Sequence, residues 1–191
     1  MGERLAAGNV AIALLANTLA TGAALVALIL AFGPISGAHF NPAVTLVDAC
    51  RHGISWKHVP AYIVAQLTGA FGGVAVAHAM FGEPLYAMST HVRSGTAQAL
   101  SEFVATFGLI AVIWGVARTR SSVTPFAVGA YITAAYWFTA STSFANPAVT
   151  LARSLTNTFS GIRPIDVPAF IAAQLLGAAA ATVFFAWLQH E

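Results

Sequence analysis

Two asparagines carry the residue pattern with the clearest chemical content. Asn41 and Asn146 each stand directly before a Pro-Ala pair, as Asn41-Pro42-Ala43 and Asn146-Pro147-Ala148. Each triplet opens an apolar run, in SGAHFNPAVTL from Ser36 and in SFANPAVTL from Ser143. Asparagine suits a helix N-cap, because its side-chain oxygen accepts from N–H groups that have no partner within the first turn. Proline suits the first helical position, where its missing N–H costs nothing. With each oxygen capping its own helix, each amide NH₂ is left to donate into the space between the two helix starts. A passing water would accept from both amides and turn its hydrogens away, which breaks a proton wire. The two positive helix ends would repel cations and let neutral molecules through.

The elements that must position these caps follow from composition. Of 191 residues, 58% are hydrophobic and only 7% charged, against roughly 25% charged in soluble domains. Mean hydropathy is +0.78, and several segments exceed the ~18 apolar residues that mark a membrane span. The sequence describes a polytopic all-α membrane protein, a single channel domain over 1–191. The formal charge of +2 is spread over loops without a basic cluster, which argues against a nucleic-acid partner. Cys50 is the only cysteine, so no internal disulfide forms. No spacing of Ser, His and Asp suggests a nucleophilic triad, so an enzyme is not expected, and neither a cofactor nor a metal site is implied. His78 has no second ligand near it in sequence and reads as a packed histidine.

Full spans are expected at about Val10–Phe32, Val59–Phe81, Ala99–Val116, Thr124–Thr139 and Pro168–Leu188. Gly33-Pro34 should end the first, and Arg118 to Ser121 should form a polar turn after the third. The runs after Pro42 and Pro147, ending near Cys50 and Asn157, are too short to cross and predict half-helices. Non-helical backbone at membrane depth must line water or be buried in protein, so Pro34–Phe40 and Thr139–Ala145 are expected pore walls. An internal repeat supports this parsing: PAYIVAQLTGA from Pro60 matches PAFIAAQLLGA from Pro168. Residues 1–98 and 99–191 thus form two repeats, of the kind found in channels and transporters. The second contains two full spans before its Asn-Pro-Ala and the first only one. Five full helices are expected where symmetry asks for six, through a truncated chain, a misassigned start or a shortened natural form. Small residues, Gly69 with Gly73 and Gly177 with Ala181, should allow close helix packing.

With the doubled Asn-Pro-Ala inside matching repeats, the chain resembles the aquaporin and glycerol-facilitator family, the major intrinsic proteins, over nearly its whole length. The resemblance implies six tilted helices and two half-helices around each pore, assembled as homotetramers in the bilayer. It implies that Glu102 braces the second loop, whereas His39 in the first loop lacks the matching carboxylate. It further places a selectivity filter at Thr21, Ala134, Ser143 and Val149. Family members typically have Arg where Val149 stands, and water-selective ones add Phe and His at this filter. The expected opening is therefore wide and weakly polar, as in bacterial aquaglyceroporins associated with arsenic resistance. The implied cargo is small neutral solutes, glycerol-like polyols and metalloid hydroxides, with water as a co-permeant. A water-selective channel, a non-conducting fragment and an ion-coupled transporter are the alternatives. Arg153, one turn beyond Val149, either reaches back to the filter from the outer vestibule or snorkels to the interface. Asn17 and Thr21 share a helix face that lines the pore or bonds to a neighbouring helix. The short loops suit a bacterial inner membrane.

Overall fold

A computed structural model describes residues 1–118 and 120–188. Thr119, in the expected polar turn, and residues 189–191 lie outside them. All regular structure among the described residues is helical. A four-residue turn of helix, α1 (Gly2–Leu5), precedes α2 (Val10–Ser36). Asn9 caps α2, its Oδ1 accepting from Ala11 N and Ile12 N at 3.0 and 3.2 Å. This helix runs through Gly33-Pro34 instead of stopping there. Pro34 lies in the last turn, where its ring removes one ladder bond, and the bond from Gly37 N to Gly33 O still closes that turn. Gly37 then ends the helix in the left-handed conformation, at φ 73°.

The remaining helices are α3 (Pro42–Cys50), α4 (Val59–Phe81), α5 (Thr96–Ala117), α6 (Thr124–Phe138), α7 (Pro147–Arg153) and α8 (Val167–Leu188). A 3₁₀ turn leads into each of α4, α6 and α8. Among the described residues, four stretches are long and apolar enough to cross a membrane: Val10–Ser36, Trp56–Phe81, Thr96–Ala117 and Pro164–Leu188. The fifth expected span, α6, has 15 residues and extends only about 22 Å. The second half-helix is also shorter than expected. It ends at Arg153, and the chain turns back so that Ser154 O and Leu155 O accept from Ser89 N and Ala87 N, both at 2.9 Å.

Small residues set the helix contacts. A Cβ on Gly177 would lie 2.4 Å from Phe103 O, so α8 packs backbone to backbone on α5. A Cβ on Gly129 would lie 2.8 Å from Gly22 O, which joins α6 to α2 in the same way. On α4, by contrast, Gly69 and Gly73 have nothing within 4 Å, so the close packing expected there finds no partner among the described residues. The half-helix α3 is sunk into the bundle. Ala43 and Val47 pack with Ile110 and Trp114 of α5 and Ala178 and Ala181 of α8.

Candidate functional site

The pore is built from the two loops that precede α3 and α7. At equivalent places, third and first before each asparagine, the backbone is left-handed without glycine: Ala38 and Phe40 at φ 48° and 49°, Ser143 and Ala145 at φ 46° and 47°. Each such residue costs energy that only the surrounding contacts can hold in place. Those contacts are polar and specific. Asn41 Oδ1 accepts from Ala43 N at 2.9 Å, and Asn146 Oδ1 accepts from Ala148 N at 3.0 Å and Val149 N at 3.3 Å. Both asparagines are therefore N-caps, with Pro42 and Pro147 buried at the first helical positions. Each amide nitrogen also donates across the site, Asn41 Nδ2 to Ala145 O at 2.7 Å and Asn146 Nδ2 to Phe40 O at 2.8 Å. One N–H of each NH₂ is thus committed to the opposite loop, which leaves one further N–H on each asparagine.

The second loop hangs on Glu102, which is fully buried on α5. Its two oxygens accept from Phe144 N and Ala145 N, both at 2.8 Å, and Oε2 also accepts from Gln174 Nε2 at 2.6 Å. Gln174 Nε2 in turn reaches Thr150 Oγ1 at 2.8 Å. The first repeat has the mirror of this last link, Gln66 Nε2 to Thr45 Oγ1 at 2.9 Å, but no carboxylate among the described residues stands behind its loop. His39 lies instead between Thr45 Oγ1, at 3.1 Å from Nδ1, and Asp48 Oδ2, at 3.4 Å from Nε2. Tyr62 donates to Ser36 O at 3.0 Å beside the His39 ring, so it braces this loop.

Sequence reasoning missed Arg93. This arginine from the α4–α5 connection is buried against the second loop. Nε donates to Gly161 O at 2.7 Å, Nη1 to Ser141 O at 2.8 Å and Nη2 to Phe159 O at 3.0 Å. Burial first, and the nearby Arg153 second, lower its pKa to about 10, so it remains charged at neutral pH. Its partners are carbonyls far away in sequence, and no local pattern marks it. His78 is likewise a bonded core histidine, between Pro84 O at 2.5 Å and Thr156 Oγ1 at 2.8 Å.

A cavity of about 620 Å³ passes the two asparagines and runs from Asp48 and Arg118 at one end to Arg153 at the other. Thr21, His39, Ser143 and Val149 line it. Ala134 does not: it is exposed on the outer face of α6. That helix turns Ile132 and Tyr136 to the cavity instead. Two residues along a helix is about 200° of rotation, so a wall containing Ile132 and Tyr136 must turn Ala134 away. Arg153 also lines the cavity and does not snorkel away. Its Nη2 donates to Tyr136 Oη at 3.0 Å, and its Cζ lies 4.3 Å from the Phe144 ring centre. The wall therefore contains the Tyr136 ring, which the expected filter did not include, and the guanidinium of Arg153, the first of the two placements expected for that residue.

Apolar spanning helices, two half-helices meeting cap to cap and a cavity running between them define an integral membrane channel. The pattern of the family described as Major intrinsic protein matches residues 3–145 and again 124–191. An aquaglyceroporin of Rhizobium meliloti (strain 1021), AqpS, is 57% identical over 188 residues, covering 98% of this chain and 80% of the relative. Aquaporin NIP1-3 of Oryza sativa subsp. japonica is 38% identical, over 68% of this chain and 48% of that protein. Aquaporin NIP2-3 of Zea mays is 38% identical, over 81% and 54%. The chain belongs to the major intrinsic protein family, whose members are channels for small neutral solutes.

Proposed function

We propose that the chain conducts small neutral polyhydroxy solutes passively, glycerol-like polyols and uncharged metalloid hydroxides such as arsenous acid, with water as a co-permeant. The carrying observation is the two-sided wall near Val149. Val149 and Ile132 offer an apolar surface, while Thr21, Ser143 and Arg153 offer hydroxyls and a guanidinium to the same cavity. A polyol has a hydrocarbon face and a hydroxyl face, and this wall matches both. Arsenous acid presents three hydroxyls on a compact uncharged centre and fits the same description. The 57% identity to a protein named as an aquaglyceroporin supports the reading. The remaining N–H of Asn41 and of Asn146 would hold a solute oxygen at the middle of the pore and keep protons and ions out. We place the protein in the bacterial inner membrane as a homotetramer. The exposed small-residue face of α4, with open space at Gly69, Gly72 and Gly73, suits contact with a neighbouring copy.

Reconstitution into liposomes tests this directly. Glycerol-driven swelling and arsenite uptake above protein-free vesicles are expected, without proton leak. Permeability to water alone would overturn the polyol reading.

A further inference from the structure

We infer that the Asp48 end of the pore holds a site for a phosphate group, formed by the guanidiniums of Arg51 and Arg118 across the mouth, and that filling it closes the pore to solutes. The inference rests on the channel reading above and adds to it a ligand that regulates entry.

Packing brings the two arginines together. Val47 of α3 and Trp114 of α5 belong to one buried cluster. Arg51 and Arg118 each follow four residues later, one turn further along the same face, so they emerge at the same end. Both line the cavity there and both are exposed. Each stands at the C-terminal end of its helix, where the dipole favours one cation. Two cations side by side repel each other. Desolvation first and Arg118 second lower the Arg51 pKa, and Asp48 offsets them only in part. Asp48 is the single carboxylate among the described residues that line this cavity, and its Oδ2 is turned to His39 Nε2 at 3.4 Å. No ion pair among the described residues includes Arg118. Arg51 is held by its face, with Cζ 3.1 Å from the Trp114 ring centre, and Trp114 packs in turn on Phe185 at 5.6 Å between ring centres. A guanidinium held by its face presents its N–H groups along its edge, and that planar fork matches the oxygens of a phosphate. A phosphate group relieves the repulsion and bridges α3 to α5. It would then stand between the surrounding solution and the two asparagines.

Stopped-flow glycerol permeability in phosphatidylcholine vesicles tests the site, with inorganic phosphate on both sides or with gluconate at equal ionic strength. A site of millimolar affinity is mostly filled at roughly 10 mM phosphate, so wild-type flux is expected to fall about fivefold or more. Arg51→Gln and Arg118→Gln should each lose most of that sensitivity, taken as the ratio of flux in phosphate to flux in gluconate. Arg118→Gln alters an exposed position and decides the matter if Arg51→Gln, which also loses the Trp114 contact, fails to assemble. Vesicles of phosphatidylcholine and phosphatidylglycerol in equal parts separate the sources of the phosphate group. Slow flux there without added phosphate, relieved in Arg118→Gln, assigns the site to a lipid headgroup; slow flux with inorganic phosphate alone assigns it to the free anion. Wild-type flux insensitive to both, or sensitivity kept in the assembled variants, overturns the site. A wild-type protein that passes no glycerol in gluconate overturns the polyol reading instead. Binding is then read by broadening of the phosphate NMR line, which detergent-solubilised wild type should produce and Arg118→Gln should not; equal broadening by both overturns the site.

Discussion

Asn41 and Asn146 each cap their own half-helix and hold the loop that leads into the other. Asn41 Nδ2 donates to Ala145 O at 2.7 Å and Asn146 Nδ2 to Phe40 O at 2.8 Å. The accepting carbonyls belong to two of the left-handed residues, so the strain in each loop is held by the cap of the opposite repeat. Asn41→Asp separates the two roles, because a carboxylate still caps α3 and can no longer donate to Ala145 O. A loss of about 1–3 kcal/mol is expected from the buried carbonyl left unpaired. Thermal unfolding in detergent measures it; an unchanged midpoint would show that the cross-loop bond adds nothing.

Glu102→Gln places an NH₂ where two loop N–H groups and Gln174 Nε2 now meet a carboxylate. At least one donor is left facing a donor, and charge-assisted bonds are the strong ones. A destabilisation of about 3 kcal/mol or more is expected, with loss of glycerol flux from whatever protein still assembles. Glycerol flux equal to wild type would contradict the role of the carboxylate.

Arg93→Lys keeps the charge and loses the planar fork. An ammonium on a flexible stem cannot reach Gly161 O, Ser141 O and Phe159 O together. The expected cost is about 2 kcal/mol, read as a lower unfolding midpoint and as faster proteolysis within residues 154–163.

Val149→Arg adds a bulky cation beside Arg153 and Ser143 and fills the apolar side of the wall. Glycerol flux is expected to fall more than water flux in paired stopped-flow traces. Equal suppression of the two would mean that Val149 does not govern solute size.

Gly177→Ala and Gly69→Ala should differ sharply. The new Cβ at Gly177 meets Phe103 O at 2.4 Å, while that at Gly69 meets nothing within 4 Å. Overpacking of a close helix contact costs roughly 1–3 kcal/mol. Gly69→Ala should raise the unfolding midpoint of the isolated chain slightly, as alanine is the better helix former by about 0.5–1 kcal/mol, and its cost, where two copies meet, should be felt in cross-linking between them.

The capped half-helices and the repeat were legible because each rests on local chemistry or on a repeated string, whereas Glu102 was expected only through the family resemblance. Asn before Pro specifies a helix start wherever it occurs, and the Asn-Pro-Ala strings register one repeat on the other. Of the four positions expected at the filter, Thr21, Ser143 and Val149 line the cavity and Ala134 does not. Carrying Ala134 over from the family resemblance assumes a fixed path through the turn after α6, and a small change there rotates a helix face. The i, i+4 spacing of Val128, Ile132 and Tyr136 was the better guide, since these three share one buried face. The stop expected at Gly33-Pro34 failed because proline removes only its own bond to the carbonyl four residues back, and the ladder resumes where Gly37 N donates to Gly33 O at 2.9 Å. Arg93 carried no signal at all, since its carbonyl partners are brought to it by the fold.

The grip of Glu102 on two loop amides, which no carboxylate among the described residues repeats around Asn41, has a mechanical consequence. Around Asn146 the wall is clamped by a buried carboxylate that grips two successive amides; around Asn41 no described carboxylate bonds the loop amides, and the same arc of backbone hangs on Ser36, on Asn146 and on the His39 ring held between Thr45 and Asp48. The pore is therefore stiff at one end and compliant at the other. Slow deuterium exchange should mark the amides of Phe144 and Ala145, and faster exchange those of His39 and Phe40. Solutes would then meet a fixed aperture on the Arg153 side and a yielding one on the Asp48 side, a difference in give between two halves that repeat the same motif.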